Sequence, residues 1–188
     1  MPPKAKITKD MVIDAAFEVA REFGAENINA RTVSQRLGCS TQPVMWHFKT
    51  IADTRKAAYE KADHFHTEYL LNISGNDPLK DIGLNYIRFA ANEKNLFRFI
   101  FQSDNFSGKS LSELIDGAEL IQIYDILAQK TQTDLEQVKV VFKSLFLYVH
   151  GYASMFANNA IPYNEEELAK ELELIFEGAV YAASKGGK

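Results

Sequence analysis

The sequence predicts an all-α fold, and three observations support this prediction. Apolar residues recur at steps of three and four, as in the stripe that Ile13, Ala16 and Phe17 begin, which is the spacing of one helical face. Segments in which apolar and polar residues alternate are short, so strands are not predicted. Residues that start and end helices stand at the edges of the apolar segments, for example Thr8 before the first stripe and Gly24 after it.

These caps and breaks give the boundaries of the individual helices. Asn29, Ser40 and Thr50 are each placed to cap a helix, and Gly38 is placed to end one. The predicted helices cover residues 9–23, 30–37, 41–47, 51–71, 78–93, 94–102, 109–130, 134–158 and 165–184. Gly117 could break the seventh of them.

The charges are distributed unevenly along the chain. The net charge is −4, yet residues 1–61 carry ten basic and seven acidic side chains, or +3, whereas residues 62–188 carry eleven and eighteen, or −7. A basic N-terminal part on an acidic body predicts that only one end meets a polyanion, although a difference of this size also arises by chance.

Cysteine content and hydropathy predict a cytoplasmic protein. The single cysteine, Cys39, rules out an intrachain disulfide bond. No apolar run follows the first residues of the chain, so we expect no signal peptide. The longest apolar stretch, residues 140–157, is interrupted by polar residues such as Lys143 and His150, so we expect no membrane span.

Residues 30–48, ARTVSQRLGCSTQPVMWHF, have the outline of a helix-turn-helix. Two short predicted helices meet at Gly38-Cys39-Ser40, a tight turn with a glycine first and a cap residue last. The first helix can brace the second, whose side chains then reach into a DNA major groove, because that groove is wide enough for one helix.

Helical periodicity sorts the residues of this motif into two faces. The residues predicted to point inward are Val33, Leu37, Val44 and Phe48, and those predicted to point outward are Thr41, Gln42, Trp46 and His47. A glutamine can bind adenine through two hydrogen bonds, and a threonine methyl group can contact thymine. The basic candidates for phosphate contacts are Arg31, Arg36, Lys49, Arg55 and Lys56. Residues 31–61 carry six basic and two acidic side chains, a balance of +4 that suits a polyanion.

A set of residues within positions 12–53 follows the signature of a known family. The matching residues are Ala15-Ala16, Phe23, Ile28, Val33 to Leu37, Gly38-Cys39-Ser40, and Val44 to Phe48 with Lys49 behind them. On these residues the segment resembles the DNA-binding domain of the TetR family of regulators. It departs from the family at Met45, where a tyrosine usually contacts a phosphate, and at Ile51, where a lysine usually starts the connector helix.

The resemblance implies an architecture and a set of contacts. The architecture is a three-helix helix-turn-helix domain over residues 1–50, a connector helix over about 51–72, and a helical dimerisation and ligand-sensing domain over 73–188. The implied recognition-helix residues are Thr41, Gln42, Pro43, Trp46 and His47, and the implied backbone contacts are Arg31 and Lys49. Lys49, Arg55 and Trp46 could substitute for the two contacts that Met45 and Ile51 lack.

The function that the resemblance implies is a ligand-responsive transcriptional regulator, a repressor by analogy with the family. It is expected to bind a palindromic operator in double-stranded DNA as a homodimer and to be released by an apolar or aromatic small molecule. The alternative is a helical interaction protein of the same fold that has lost specific DNA binding, and Met45 and Ile51 favour that alternative.

The part of the chain after residue 72 is rich in aromatic residues, which suggests a small-molecule pocket. The candidate ligand-binding residues are Tyr86, Phe89, Phe97, Phe101, Tyr124, Phe146 and His150. The alternative for each aromatic residue is a place in the ordinary hydrophobic core.

Two helices near the C-terminus are predicted to form a dimer interface. Residues 140–157 are apolar nearly all round, so that helix needs cover on two sides. Together with the last helix it could form a four-helix interface with a second copy of the chain. The candidate interface residues are Tyr152, Phe156, Leu168, Leu172, Ile175, Phe176 and Ala179.

The sequence shows no pattern of an enzyme. It has no G-x-S-x-G, no glycine-rich phosphate loop and no metal-ligand spacing, so we expect no catalytic residue, no metal and no cofactor. Glu60, His64 and Glu68 share one helical face and could bind a metal or sense pH, but a solvated face is the simpler interpretation. Cys39 could be an oxidation switch, and the alternative is a small residue packed in the turn.

Overall fold

The computed structural model describes residues 7–103, 110, 113 and 120–186. Over these residues the chain is all-helical and has no strand, which confirms the predicted fold class. The helices are α1 (Lys9–Phe23), a short 3-10 helix (Ala25–Asn27), α2 (Ala30–Arg36), α3 (Thr41–His47), α4 (Ile51–Leu70), α5 (Pro78–Asn92), α6 (Lys94–Phe101), α7 (Ile121–Thr131), α8 (Leu135–Asn158) and α9 (Glu165–Gly186). Part of the helix predicted over residues 109–130, with Gly117, lies outside the described residues.

Side-chain caps fix the starts of the first two helices as the sequence predicts. The Thr8 hydroxyl accepts a hydrogen bond from the backbone N–H of Met11. The Asn29 side chain accepts from the N–H groups of Arg31 and Thr32, at 3.0 Å each, and the Thr32 hydroxyl accepts from the N–H of Asn29 at 3.2 Å. These bonds satisfy N–H groups that a helix start otherwise leaves without a partner.

The prediction that Ser40 caps α3 through its side chain is wrong. Ser40 stands at the N-cap position of α3, but its side chain makes no capping hydrogen bond within the described residues. The next helix is capped as predicted, because the Thr50 hydroxyl accepts from the N–H of Asp53 at 3.1 Å, and the Asp53 carboxylate accepts from the N–H of Thr50 at 3.0 Å.

The chain folds into two compact units. The first unit contains described residues 7–67 and 93–103, and therefore helices α1 to α3, most of α4, and α6. Aromatic rings join its helices: Phe17 contacts Phe65 at 5.6 Å between ring centroids, and Tyr59 contacts Phe99 at 5.6 Å. These rings pack α1 against α4 and α4 against α6.

Helix α6 is also tied to the end of α1 by polar contacts. The Asn95 amide donates to the backbone carbonyl oxygens of Arg21 and Glu22, at 3.0 and 3.2 Å. The Arg21 guanidinium donates to the Glu93 carboxylate at 2.9 Å. The first two bonds satisfy carbonyl groups that the end of α1 leaves open.

The second unit contains residues 68–92, 110, 113 and 120–186, and α8 is its central helix. Helix α8 packs against α5, α7 and α9, and α5 also packs against α9. At that last contact Gly83 lies against Leu172, and a side chain at position 83 would meet Leu172 at 2.9 Å. The buried Asn85 amide donates to the carbonyl oxygens of Leu70 and Asn72, so α5 holds the end of α4 within this unit.

The two units differ from the predicted domain boundaries. The predicted first domain ends at residue 50, whereas the first unit takes in α4 up to Thr67 and also takes in α6. The reason is packing: the buried side of α6, which includes Leu96, Phe97 and Ile100, belongs to the core of the first unit. Sequence order alone assigned α6 to the C-terminal part.

Helix α8 is the one helix among the described residues that is long and apolar enough to cross a membrane. Its apolar stretch is 39% buried, and the helix packs against three others. The core helix of a soluble protein has the same length and composition, so this single helix is weak grounds for a membrane span.

Candidate functional site

A glycine-closed turn connects α2 to α3. The N–H of Cys39 donates to the carbonyl oxygen of Ser34 at 3.0 Å, and the N–H of Gly38 donates to that of Gln35 at 3.1 Å. Gly38 has a φ of +63°, in the left-handed region. This pair of bonds is the Schellman motif, in which the left-handed residue ends the helix and redirects the chain. It leaves only four residues between the end of α2 and the start of α3.

Two buried side chains fix the orientation of α3. Val44 is fully buried and Phe48, just after the helix, is also buried. Trp46 lies about 200° around the helix axis from Val44, and it is 87% exposed. The side chains of Thr41, Gln42 and Met45 are exposed as well, and Pro43 is half-buried. A large indole ring in solvent, on a face otherwise free of charge, is unusual for a surface without a partner.

The prediction that His47 lies on the outward face of α3 is wrong. The structure half-buries this residue, and its Nε2 lies 2.8 Å from the backbone carbonyl oxygen of Ile7. The hydrogen bond ties the end of α3 to the segment before α1. The prediction treated α3 as an isolated helix, and periodicity cannot show a contact between residues forty positions apart.

Four exposed cations lie close to α3 in sequence. Arg31, Lys49, Arg55 and Lys56 are exposed and form no salt bridge within the described residues. Arg36 differs from these four, because its guanidinium lies 2.6 Å from the Glu22 carboxylate. The four cations are therefore available to a polyanion, whereas Arg36 already has an acidic partner.

The two departures from the family signature have different environments. Met45 is exposed on α3, so a side chain there does face solvent. Ile51 is half-buried at the start of α4. An apolar residue at the first of these positions lacks the hydroxyl that a tyrosine would offer to a phosphate.

Four of the predicted ligand-binding residues come together in the second unit. The Tyr86 hydroxyl lies 2.9 Å from Nδ1 of His150, and the Phe146 ring stacks on His150 at 5.5 Å between centroids. Phe142 stacks on Phe146 at 6.0 Å and meets Tyr124 edge-on at 5.2 Å. We call Tyr86, Tyr124, Phe142, Phe146 and His150 the aromatic cluster. Phe142 was missed as a candidate, although the four-residue spacing of 142, 146 and 150 signals a shared helical face.

Burial keeps the polar members of the aromatic cluster neutral. It raises the pKa of the Tyr86 hydroxyl above its ordinary value of 10.0. It lowers the pKa of His150 below its ordinary value of 6.5. The cluster therefore holds a neutral imidazole beside a neutral phenol in otherwise apolar surroundings.

The other predicted ligand-binding residues lie elsewhere. Phe89 is fully buried and meets Tyr69 at 5.3 Å. Phe97 and Phe101 belong to the first unit, where they contact each other at 5.0 Å, and Phe101 also meets His66 at 5.0 Å. The predicted set is thus divided between the two units, because α6 folds with the first.

His66 is a buried histidine in the first unit. Its ring meets the edge of Phe101, and desolvation lowers its pKa from 6.5 to about 4. In the sequence His64 and His66 form an H-x-H pair, which is a poor metal site because residues two apart on a helix point away from each other. His66 is neutral at physiological pH.

The aromatic cluster does not line the small cleft of the second unit. That cleft has a volume of about 20 Å³, enough for about one water molecule. Its lining residues are Asp77, Leu79, Lys80, Lys130, Leu145, Leu172, Glu173 and Phe176. That cleft is too small for a drug-sized ligand.

Most of the predicted dimer-interface residues are buried within their own unit, which corrects that prediction. They are Phe156, Leu168, Leu172 and Ala179, each less than 10% exposed. Ile175 and Phe176 are half-buried, and the Tyr152 hydroxyl donates to the Glu171 carboxylate at 2.7 Å. The physical reason is that α8 and α9 pack against each other and use their most apolar sides to do so.

A different set of residues forms the outward sides of α8 and α9. On α8 these are Val140, Leu147, Gly151 and Met155, and on α9 they are Leu174, Gly178 and Tyr181. Leu174 is 68% and Tyr181 66% exposed. A Cβ atom added at either glycine would meet no other atom within 4 Å. We call these seven residues the outer face of the C-terminal helices.

A carboxylate joins α8 to α9 at the side. The hydroxyl groups of Tyr148 and Tyr152 both donate to Glu171, at 2.6 and 2.7 Å. These two bonds favour the charged carboxylate and hold the pKa of Glu171 below its ordinary value. The contact orients the two helices and leaves the outer face free.

Among the residues that the structure describes, no group of three or more His, Cys, Asp or Glu side chains could hold a metal ion. Glu60, His64 and Glu68 are among these residues, so they do not form such a group. Cys39 is half-buried in the turn before α3, as a small packed residue would be. No protein-family model matches the chain.

Proposed function

We propose that this chain is a ligand-responsive transcriptional regulator of the TetR type, a repressor that binds double-stranded DNA as a homodimer in the cytoplasm. The observation that carries the proposal is the exposed side of α3, where Trp46 and Gln42 point into solvent. Exposed cations stand at the start of the preceding helix, at Arg31, and just after α3, at Lys49. The proposal assigns no catalytic residue and no cofactor.

The arrangement of α2 and α3 suits a helix-turn-helix that enters a major groove. The buried Val44 and Phe48 hold α3 to its unit, so its opposite side is free to meet base edges. Arg31, Lys49, Arg55 and Lys56 can neutralise phosphates on either side of the groove, and displaced counterions then favour binding. Such contacts position the protein, whereas α3 reads the sequence.

The outer face of the C-terminal helices supports a homodimer. Its five large apolar side chains are exposed, and Gly151 and Gly178 leave room for a second backbone to approach each helix closely. A self-complementary surface of this kind produces a two-fold dimer. Two copies of α3 about one turn of DNA apart then read a palindromic operator.

The aromatic cluster supports an apolar or aromatic effector. A planar ligand could stack on Phe146 and bond to the Tyr86–His150 pair after side chains move apart. Helix α4 has residues in both units, so it is the element through which occupancy of the cluster could alter the spacing of the two α3 helices. Effector and operator must then weaken each other's binding by the same factor.

Selection of bound sequences from a random pool of duplex DNA tests the proposal. We expect an enriched palindrome whose half-site centres are one helical turn apart. Binding to the selected site should weaken steeply with salt, because log K falls by about 0.9 per phosphate contact for each decade of salt concentration. A pool that shows no enrichment, or affinity independent of salt, would refute DNA binding.

Matched variants make the phosphate model specific. Lys49→Gln and Arg55→Gln should each reduce the salt slope by about 1 and weaken all sequences alike. Lys170→Gln is the control, because Lys170 lies on α9 in the second unit and pairs with Glu166 at 2.7 Å. An equal effect of all three substitutions would mean that net charge alone drives binding.

The second candidate function is a helical interaction protein that has lost specific DNA binding. The exposed Met45 favours it, since this position offers no hydrogen bond to a phosphate. Under this alternative the random pool yields no enriched sequence, and the Lys49 and Arg55 variants behave like wild type.

A further inference from the structure

The composition of α3 restricts which bases it can read. Its seven residues, Thr41 to His47, contain no Arg, Lys, Asp or Glu. Arg and Lys are the usual side chains that bind the two acceptors of guanine, and Asp and Glu are those that accept from cytosine. The charged contacts that most often specify a G·C pair are therefore missing from this helix.

The one imidazole of α3 is already engaged. His47 Nε2 lies 2.8 Å from the Ile7 carbonyl oxygen. Its half-buried ring is held towards the start of α1 rather than towards a groove. This leaves Thr41, Gln42, Met45 and Trp46 as the exposed side chains of the helix.

These exposed side chains match the two features of an A·T pair in the major groove. Adenine presents a neighbouring acceptor and donor, which a glutamine amide such as that of Gln42 can bind together. Thymine presents its C5-methyl group, which suits an apolar surface. Trp46 offers the largest such surface, at 87% exposure, and Met45 adjoins it at 43%.

The spacing of Gln42 and Trp46 places both features on one side of α3. Residues four apart lie one above the other on a helix, about 6 Å along its axis. Base pairs are about 3.4 Å apart along the duplex axis, so two side chains at that separation can reach neighbouring base pairs. When α3 lies in the major groove, the Gln42 amide can thus reach an adenine while the Trp46 indole contacts a nearby thymine.

We infer, resting on the proposed function, that α3 reads A·T base pairs, with a thymine methyl group packed beneath Trp46 and an adenine bound by Gln42. The specificity of each half-site then comes from an apolar contact and one amide, not from a charged contact to guanine. Burial of the thymine methyl group against the Trp46 indole distinguishes thymine from the other bases at that position.

Replacing single thymines by deoxyuridine in the selected operator tests this inference, because the change removes only the methyl group. We expect one thymine per half-site at which the replacement weakens wild-type binding about fourfold, the equivalent of the about 0.8 kcal/mol gained by burying one methylene-sized group. Trp46→Ala should bind more weakly and should no longer distinguish thymine from deoxyuridine at that position.

Phe23→Ala is the matched control, since Phe23 is an aromatic residue of the first unit that is 56% exposed on α1. This variant should keep the full preference for thymine. Equal affinity for thymine and deoxyuridine at every position, or a selected half-site made of G·C pairs, would overturn the inference while leaving DNA binding intact. Absence of any selected site would instead refute the proposed function itself.

Discussion

The hydroxyl group of Tyr86 on α5 lies 2.9 Å from Nδ1 of His150 on α8, inside the second unit. Tyr86 is buried and the His150 ring also stacks on Phe146. This hydrogen bond is a specific polar contact between two helices whose other contacts are largely apolar. It fixes the register of α5 against α8 as well as their separation.

Removal of the hydroxyl should destabilise the second unit. We expect Tyr86→Phe to lower the free energy of unfolding by about 1 kcal/mol, the net contribution of one hydrogen bond. Urea denaturation measures the change, and Tyr181→Phe, at an exposed tyrosine, should leave stability unchanged. If the pair interacts, Tyr86→Phe and His150→Phe together will cost less than the sum of the two, whereas strict additivity would contradict it.

Burial of His66 should make the stability of the protein depend on pH. Its pKa is about 4 in the folded state, below the 6.5 of the unfolded chain, so the unfolded state binds more protons between these values. The stability that the neutral His66 contributes to the folded state is complete above pH 6.5 and is lost as the pH falls towards 4. Between pH 7 and pH 5 we expect a loss of about 2 kcal/mol from this residue.

The difference between wild type and His66→Phe isolates that contribution from other titrating groups. The variant keeps a ring against Phe101 and should show a flatter dependence of stability on pH. His64→Gln, at the exposed histidine of the same helix, serves as the control and should keep the wild-type slope. Parallel pH curves for wild type and His66→Phe would contradict the prediction.

The two cap positions around α2 and α3 should differ in their effect on stability. Asn29→Ala removes two capping hydrogen bonds and should cost about 1 kcal/mol. Ser40→Ala should lower the free energy of unfolding by only about 0.3 kcal/mol, because the Ser40 side chain makes no capping bond within the described residues. Thermal or urea denaturation of the two variants measures the difference, and equal losses would contradict the structure at Ser40.

A charge on the outer face of the C-terminal helices should separate the proposed dimer without unfolding it. We expect the double variant Leu147→Lys and Leu174→Lys to sediment as a monomer with an unchanged helical circular dichroism spectrum, because lysines at the contact repel their copies. Leu71→Lys, at an exposed leucine outside α8 and α9, is the control and should remain dimeric. A dimeric double variant would show that the subunits meet elsewhere.

Helix boundaries could be predicted from sequence because caps and glycines act locally. Asn29 bonds to residues within three positions, and Gly38 needs only its own backbone angle to end α2. Neither interaction depends on a distant part of the chain.

Contacts between distant residues could not be predicted. His47 bonds to Ile7, and α6 joins α1 through Asn95, and neither pairing leaves a periodic signal. The choice of residues for the dimer interface was wrong for a related reason. The most apolar sides of α8 and α9, which include Phe156 and Leu172, are buried within their own unit. The apolar residues that remain exposed, such as Leu147, are fewer and more scattered in the sequence.

Because α6 completes the first unit, that unit is assembled from two separate stretches of chain. A fragment ending at residue 67 would leave the apolar partners of Leu96 and Phe97 uncovered, so we expect such a fragment to fold poorly without α6. During synthesis the ribosome must likewise release residue 101 before this unit can close. The first unit therefore finishes folding only after α5 has left the ribosome, although most of its residues precede α5 in the chain.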